Sequence, residues 1–268
     1  PCATMIKNVI GMLAAGNSVI SIPNPRCMET SLFLSEKINE AVREVSGIDH
    51  LVITLPEVRG ELVTEIINHP DVSLVVATGG RKMMSQVLYS PKRVIAGGPA
   101  NPVAIVDETA DLPKAAKDIV DGASFDNNIM CISEKCIVAV ESILPEFVKH
   151  LEQNGVYYID NEQEMLQITR TVLNHDMKMV RKMEGKNAMD ILREAGICPN
   201  RHIRLVVVRT FEKHPLVLEE CLMPVVPLVA AADFEEALAT ALFAEQGYRH
   251  TAMLHSQRID RLNRAAKM

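Results

Sequence analysis

The chain has 268 residues, of which 48% are hydrophobic and 23% charged, and it carries a net charge of -6 at pH 7 with its lysines and arginines dispersed. The acidic balance and the dispersed basic residues argue against binding to nucleic acid or to an anionic membrane surface. The apolar stretches are also too short to span a bilayer. With nucleic acids and membranes disfavoured, we expect small-molecule partners.

Short β-branched runs alternate with helical periods from the beginning of the chain. The pattern predicts strands at 18–22, 50–55 and 73–77, and helices at 3–14, 29–45 and 57–68. Consecutive parallel strands need long crossovers, which place helices on the faces of the sheet. The first part of the chain therefore predicts an α/β fold with a parallel sheet, an architecture that often binds nucleotides.

A glycine- and proline-rich stretch at 96–102, AGGPANP, interrupts this pattern and predicts a domain boundary. The alternation then resumes, with strands at 103–106, 135–140, 204–208, 225–229 and 251–254, helices at 112–122, 145–154, 162–173 and 234–244, and a turn-rich region around Gly185. This part predicts a second α/β domain.

The two ends suggest a piece of a longer protein. The chain opens directly into a predicted helix without an initiator methionine, and residues 257–268 predict a helix that runs to the last residue without a cap. We therefore expect that segments are missing at both ends.

Cys131 is the first candidate for chemistry. It lies in SFDNNIMCISEKC, an asparagine-rich turn between a predicted helix and a predicted strand. Substrate can reach a thiol in such a turn, and nearby backbone N–H groups can favour the thiolate, which is the nucleophilic form. The alternative is a buried structural cysteine, and spacing alone does not decide between the two.

Two further features could contact a dinucleotide. Thr78, Gly79 and Gly80 link a predicted strand to a predicted helix, where glycines allow close backbone approach and a helix N-terminus attracts phosphate. Glu220 precedes an apolar strand in EECLMPVVPLV and could accept hydrogen bonds from ribose hydroxyls. Each has a plainer alternative: a turn formed for local reasons, and a solvated carboxylate.

No metal site is expected. His250 and His255 are five residues apart across a predicted strand, so they point to opposite faces. The cysteines lack a C-x-x-C pair or a zinc-like spacing, which is typical of free thiols in a reducing cytosol; they are Cys2, Cys27, Cys131, Cys136, Cys198 and Cys221. The sequence also lacks the serine hydrolase elbow, the phosphate-binding P-loop and the H-E-x-x-H motif.

Five ordered blocks carry a resemblance to a known family: PCATMIKNVIGMLAAGNSVI, NPVAIVDETADL, GASFDNNIMCISEK, EECLMPVVPLV and GYRHTAMLHS. With them the chain resembles, nearly end to end, the coenzyme A-acylating aldehyde dehydrogenases of ethanolamine and propanediol utilisation. The resemblance implies a Rossmann-type dinucleotide-binding domain, incomplete at 1–95, and a second α/β domain at 96–268 that carries the catalytic cysteine.

The resemblance also implies a mechanism and a set of cofactor contacts. Cys131 would attack the aldehyde, and the thioester formed after hydride loss to NAD would be transferred to coenzyme A. Thr78, Gly79 and Gly80 would lie near the cofactor pyrophosphate, and Glu220 would hold the nicotinamide ribose. The cofactor's adenosine would face Pro23, Asn24 and Pro25. Ile22 occupies the position where many hydrolytic relatives have a lysine. The choice between NAD and NADP as cofactor is therefore left open.

The sequence departs from hydrolytic relatives at one informative position. These relatives carry a glutamate general base before a Gly-Gly pair, whereas here Ile95 and Ala96 precede Gly97 and Gly98. Without that base a thiol competes better than water for the thioester. An oxyanion-hole asparagine would be expected immediately before Pro1, outside the sequence given.

We therefore expect oxidation of a short aliphatic aldehyde to acyl-CoA, with acetaldehyde ahead of propionaldehyde. The rivals are a hydrolytic enzyme that forms the free acid, and a nucleotide-binding fragment that is weakly active or inactive. The full-length parent is expected to form a homo-oligomer in the cytoplasm, with enclosure in a bacterial microcompartment left open.

Overall fold

The computed structural model describes residues 2–268, and the side chains of all of these except Cys2, Arg81 and Lys82. The chain divides into two compact units, the first ending at Gly98 and the second covering Pro99–Met268. Among the residues described, no helix has the length and apolarity that a membrane span requires.

The first unit alternates helices and short strands. Its elements are α1 (Cys2–Ala14), β1 (Val19–Ser21), α2 (Met28–Ser46), β2 (Val52–Thr54), α3 (Gly60–Asn68), β3 (Leu74–Thr78), α4 (Arg81–Leu88) and β4 (Arg93–Gly97). β1 pairs with β2 and β3 with β4, both in parallel, which gives two two-stranded sheets. Val63 and Ile67 of α3 and Val87 of α4 form the buried cluster of this unit.

The second unit contains a larger parallel sheet. Its elements are β5 (Val103–Val106), α5 (Leu112–Ser124), β6 (Cys136–Val140), α6 (Leu144–Gln153), β7 (Val156–Ile159), α7 (Glu162–Val172), α8 (Ala188–Glu194), β8 (Leu205–Thr210), α9 (Pro215–Leu218), β9 (Val225–Ala231), α10 (Phe234–Glu245), β10 (Ala252–His255) and α11 (Ile259–Ala265). Six strands pair in parallel in the order β10-β5-β6-β9-β8-β7.

Both faces of this sheet are covered. Ile137 and Ala139 of β6 pack into the cluster formed with α5 and α6, while Cys136 and Val138 pack into the cluster formed with α10. Successive side chains of a strand point to opposite faces, so a strand with apolar residues at every position must be buried on both. The continuous apolar runs of β5, β6 and β9 follow from this requirement.

The predicted fold class, α/β with parallel sheets, is confirmed, but the sequence patterns missed several elements. Residues 93–97 form β4, although the predicted break begins at Ala96: Gly97 still pairs with Thr78 in the parallel ladder, because glycine keeps both backbone hydrogen-bonding groups. The predictions also lacked the short strand β7 and the helices α8 and α9. Periodicity is a weak signal in elements of four to seven residues.

Candidate active site

Three lead-in segments converge at one edge of the six-stranded sheet. Cys131 precedes β6, Glu220 precedes β9 and Asn101 precedes β5, and these three strands are neighbours. Because parallel strands all begin at the same edge, the residues that precede them lie together. The backbone N–H groups of Lys135 and Cys136 both donate to the carbonyl of Pro102, at 2.8 and 3.2 Å, which ties two of these segments directly.

The turn that leads to Cys131 has an unusual backbone. Asp126, Asn127 and Asn128 all have positive φ, at 47°, 51° and 58°. This left-handed conformation costs about 1–2 kcal/mol per ordinary residue, and asparagine and aspartate tolerate it best. The turn is held by side-chain bonds: Asn127 Nδ2 donates to the Gly185 carbonyl at 3.0 Å, and Asn128 Nδ2 donates to the Glu134 carbonyl at 3.0 Å.

The side chain of Cys131 is exposed. The alternative of a buried structural cysteine is therefore wrong for this residue, although it holds for Cys136 and Cys221. Burial raises the pKa of both those thiols to about 12, which keeps them protonated and unreactive near neutral pH. Cys198 is also exposed, in the turn after α8.

Lys135 is a buried cation beside this turn, with 1% of its surface exposed. Its ammonium group donates to the main-chain carbonyl of Asn128 and, at 2.7 Å, to Asn128 Oδ1. Burial lowers the pKa of Lys135 to about 8, and attraction to the carboxylates of Glu220 and Glu134 opposes that effect in part. Lys135 was not among the site residues predicted from the sequence, although a lysine directly before an apolar strand is a signal that could have indicated it.

Glu220 is half-buried, so the alternative of a fully solvated carboxylate does not apply. Burial raises the pKa of its carboxyl, while the backbone N–H of Ala100 and the charge of Lys135 act in the opposite direction. Glu134 is more deeply buried, and burial raises the pKa of its carboxyl as well. Its position inside the unit does not suit a base that must activate water.

The peptide unit of Gly185 joins the cysteine turn to the Glu220 segment. Its N–H donates to the carbonyl of Leu222 at 2.9 Å, while its carbonyl accepts from Asn127. Gly185 has φ +70°, and a Cβ there would lie 3.4 Å from Ile129 Cδ1. The turn-rich region predicted around Gly185 is therefore the element that connects the two proposed site segments.

The remaining predicted cofactor contacts lie in the first unit, on its two separate sheets. Thr78, Gly79 and Gly80 are exposed at the carboxyl end of β3 and lead into α4, whose N-terminus has no side-chain cap. A Cβ at Gly80 would meet open space, so the turn leaves room for a phosphate group at the N-terminal N–H groups of α4.

Pro23, Asn24 and Pro25 follow the carboxyl end of β1. Asn24 Oδ1 accepts from the N–H of Arg26 at 3.0 Å and caps a short 3-10 turn, so its side chain has a local structural role there. Neither this segment nor 78–80 contains a charged side chain, so any contact with a cofactor would rest on backbone groups and on the neutral polar side chains of Asn24 and Thr78. In the described part of the chain, no group of three histidine, cysteine, aspartate or glutamate side chains could hold a metal ion.

A model of the Aldehyde dehydrogenase family matches residues 1–268. The chain belongs to the aldehyde dehydrogenase family. It is 40% identical over its whole length to the CoA-propanoylating propanal dehydrogenase of Salmonella typhimurium, and 38% identical over 99% of its length to the acetylating acetaldehyde dehydrogenase EutE of the same organism. It covers 57% and 58% of those two proteins, so the chain spans little more than half the length of these relatives.

A solved structure is similar over nearly all of this aldehyde dehydrogenase chain. The Rhodopseudomonas palustris propionaldehyde dehydrogenase with bound propionyl-CoA is 38% identical, with a TM-score of 0.94 over 98% of this chain and 58% of that one. The same protein was also solved with bound CoA and an acylated cysteine, at 38% identity and a TM-score of 0.93. The fold of the present chain is therefore similar to more than half of that propionaldehyde dehydrogenase.

Proposed function

We propose that this chain is part of an enzyme that oxidises a short aliphatic aldehyde to an acyl-CoA, using NAD and coenzyme A, with Cys131 as the nucleophile. The observation that carries the proposal is the exposed Cys131 thiol on a constrained turn. The chain is also 38% identical to a propionaldehyde dehydrogenase solved with CoA and an acylated cysteine. Acetaldehyde and propionaldehyde are the proposed substrates, with acetaldehyde first.

In the proposed reaction, Cys131 Sγ attacks the carbonyl carbon of the aldehyde and forms a thiohemiacetal. NAD, when bound, supplies the acceptor for the hydride that leaves this carbon. The thiol of coenzyme A then attacks the carbonyl carbon of the resulting thioester, the bond between that carbon and Cys131 Sγ breaks, and acyl-CoA leaves while Sγ takes up the thiol proton. Covalent catalysis of this kind divides one difficult oxidation and transfer into two easier steps.

Each unit, taken by itself, contains residues of the kinds that the proposed cofactor would contact. The open turn at Thr78, Gly79 and Gly80, with the uncapped N-terminus of α4, suits a pyrophosphate. Glu220 would accept hydrogen bonds from the nicotinamide ribose. Backbone groups of Pro23, Asn24 and Pro25 would face the adenosine. NAD is proposed ahead of NADP, and a comparison of the two in the same assay tests that choice.

Transfer to coenzyme A is proposed ahead of hydrolysis. Ile95 and Ala96 lie in β4, where hydrolytic relatives are expected to carry a glutamate base before the Gly-Gly pair. Glu134 cannot replace that base, since its side chain is buried against α5. Assembly of the full-length parent into a homo-oligomer, a cytoplasmic location and enclosure in a microcompartment remain predictions.

The test is NADH formation from acetaldehyde and NAD, with and without coenzyme A. Turnover should require coenzyme A, should vanish in Cys131→Ala, and should persist in Cys198→Ala, which removes the other exposed thiol of the second unit. Turnover without coenzyme A would favour the hydrolytic enzyme. An inactive chain whose Cys131 also fails to become acylated by propionyl-CoA would favour the non-catalytic fragment.

A further inference from the structure

The segment that carries Cys131 is a loop closed at its base by buried groups. Asn128 at its start and Lys135 at its end have 0% and 1% of their surface exposed, whereas Cys131 and Ile132 in its middle are exposed. Three hydrogen bonds close the base: Asn128 Nδ2 to the Glu134 carbonyl, and the Lys135 ammonium group to both oxygens of Asn128.

Lys135 forms an unusual set of contacts for a buried charge. A buried ammonium group normally pairs with a carboxylate, because desolvation of an unpaired charge is costly. Among the described residues no ion pair to Lys135 is formed, and its hydrogen bonds go to Asn128. Glu220 and Glu134 influence it only through longer-range attraction. Both of its close contacts therefore fall on one residue of the left-handed turn.

That turn needs support from outside itself. Asp126, Asn127 and Asn128 occupy the left-handed region in succession, and such backbone persists where surrounding groups impose it. Asn127 is held through Gly185. For Asn128, the carbonyl and the side-chain oxygen, which would otherwise be buried acceptors without a donor, converge on the ammonium group of Lys135.

We infer that Lys135 is a positioning residue: by bridging the two oxygens of Asn128, its ammonium group closes the 128–135 loop and fixes the left-handed turn that presents Cys131. The inference rests on the proposed role of Cys131 for its functional meaning. Lys135 does not touch the reacting atoms in this role and acts only through the loop. An apolar side chain of similar length could fill the same space but could not close the loop.

The first experiment measures hydrogen-deuterium exchange of the backbone amides in the 125–135 segment. Lys135→Met keeps the length and apolar stem but removes the donors, and should accelerate exchange there at least tenfold, with β8 unchanged. Lys135→Arg restores donors and charge, and should stay within threefold of the natural chain. Lys149→Met, on an exposed lysine of α6, is the matched control. Equal exchange in Lys135→Met and the natural chain would overturn the inference.

If Lys135→Met alone does not fold, the same substitution is tested in an Asn128→Gly variant. Glycine adopts the left-handed conformation without strain, so Asn128→Gly removes the need for support at that position. In this background the addition of Lys135→Met should change the exchange of the 125–135 segment less than threefold. The main-chain carbonyl at position 128 is still present in this background, so a tenfold or larger change would show that Lys135 does not act by fixing the left-handed conformation of residue 128, and it would overturn the inference.

The same variants separate this inference from the proposed function. With acetaldehyde, NAD and coenzyme A, Lys135→Met should lower kcat at least tenfold while the KM for acetaldehyde stays within twofold, and Lys135→Arg should recover most of the kcat. If the natural chain neither turns over nor becomes acylated at Cys131 by propionyl-CoA, the proposed function fails, while the exchange measurement still tests the loop. If turnover occurs and exchange does not respond to Lys135→Met, the positioning role alone fails.

Discussion

Gly122 of α5 lies directly against the carboxylate of Glu134: a Cβ added to this glycine would come within 2.9 Å of the carboxylate carbon. Glu134 is 6% exposed, and its Oε2 is a buried atom that forms no hydrogen bond within the described residues. The carboxylate of Glu134, which lies three residues after Cys131, therefore fits against α5 only because residue 122 has no side chain.

The first prediction concerns this contact. Gly122→Ala should lower the free energy of unfolding by about 1–3 kcal/mol, because the methyl group displaces a buried carboxylate. In a Glu134→Ala background the same change should instead stabilise by up to about 1 kcal/mol, since alanine favours the helix. Urea denaturation measures both.

The matched control is Gly11→Ala in α1, where an added Cβ meets nothing within 4 Å. That substitution should stabilise the chain by about 1 kcal/mol from helix propensity alone. A gain in stability from Gly122→Ala in the natural background would show that the Glu134 carboxylate moves aside freely.

The second prediction follows from the low pKa of Lys135, about 8 against an ordinary 10.5. Between these two values the unfolded chain binds the proton that the folded chain has lost, so folding stability from this group rises with pH across that window. At about 1.36 kcal/mol per pKa unit, the natural chain should gain about 3 kcal/mol relative to Lys135→Met.

The measurement is urea denaturation of both chains at intervals from pH 7.5 to 10.5. Taking the difference between the two chains removes the contributions of other titrating groups, and Lys149→Met supplies a lysine control. A difference that stays flat with pH, or that falls, would contradict a desolvated Lys135.

The third prediction concerns Asn127, whose side chain reaches the Gly185 carbonyl from a left-handed backbone with φ 51°. Asn127→Ala should cost about 2 kcal/mol, from the lost hydrogen bond together with the poor fit of alanine to this backbone. Asn127→Gly loses the same hydrogen bond, but glycine adopts the left-handed backbone without strain, so this substitution should lower the free energy of unfolding by a smaller amount. Urea denaturation distinguishes the two variants by their midpoints, provided that the dependence of the unfolding free energy on urea concentration is the same in both.

The fourth prediction concerns the attachment of α11 to the sheet. Arg261 contacts the fully buried Asp107 at 2.9 Å and also pairs with Glu108, while its guanidinium lies 4.9 Å from the Phe234 ring centre. Arg261→Met should destabilise the chain by about 3 kcal/mol at pH 7, because Asp107 keeps its buried charge without the partner. Arg258→Met breaks an exposed pair with Asp260 and should leave the stability nearly unchanged, because solvent screens that pair.

This fourth effect should depend on pH. Burial raises the pKa of Asp107, but the hydrogen bonds from Thr109 together with the nearby Ser256 hydroxyl and Arg261 guanidinium outweigh that effect and hold the pKa below its ordinary value. A carboxyl with a lowered folded pKa contributes stability above its unfolded pKa and loses it as the pH falls through the folded value. The cost of Arg261→Met should therefore persist at pH 5–7 and shrink below about pH 3.8. An unchanged cost at pH 3 would point to lost packing on Phe234.

The sequence alone determined the α/β class, the longer helices and strands, and the position of Cys131 in a polar turn, because long periodic segments and short polar interruptions are local signals. Strands 103–106 and 225–229 were located closely, since β5 and β9 are buried on both faces and read as continuous apolar runs. The amino-acid sequence likewise showed that Ile95 and Ala96 stand where hydrolytic relatives are expected to carry a glutamate base.

Only the tertiary structure decided which residues surround Cys131. Lys135, Asn128 and Gly185 are brought together by strand order, by left-handed backbone and by hydrogen bonds such as that between Asn127 and the Gly185 carbonyl, 58 positions apart. The low pKa of Lys135 is a consequence of burial, which no local pattern specifies. Residue type and spacing act over a turn of chain, whereas desolvation and loop closure depend on everything that packs around a group.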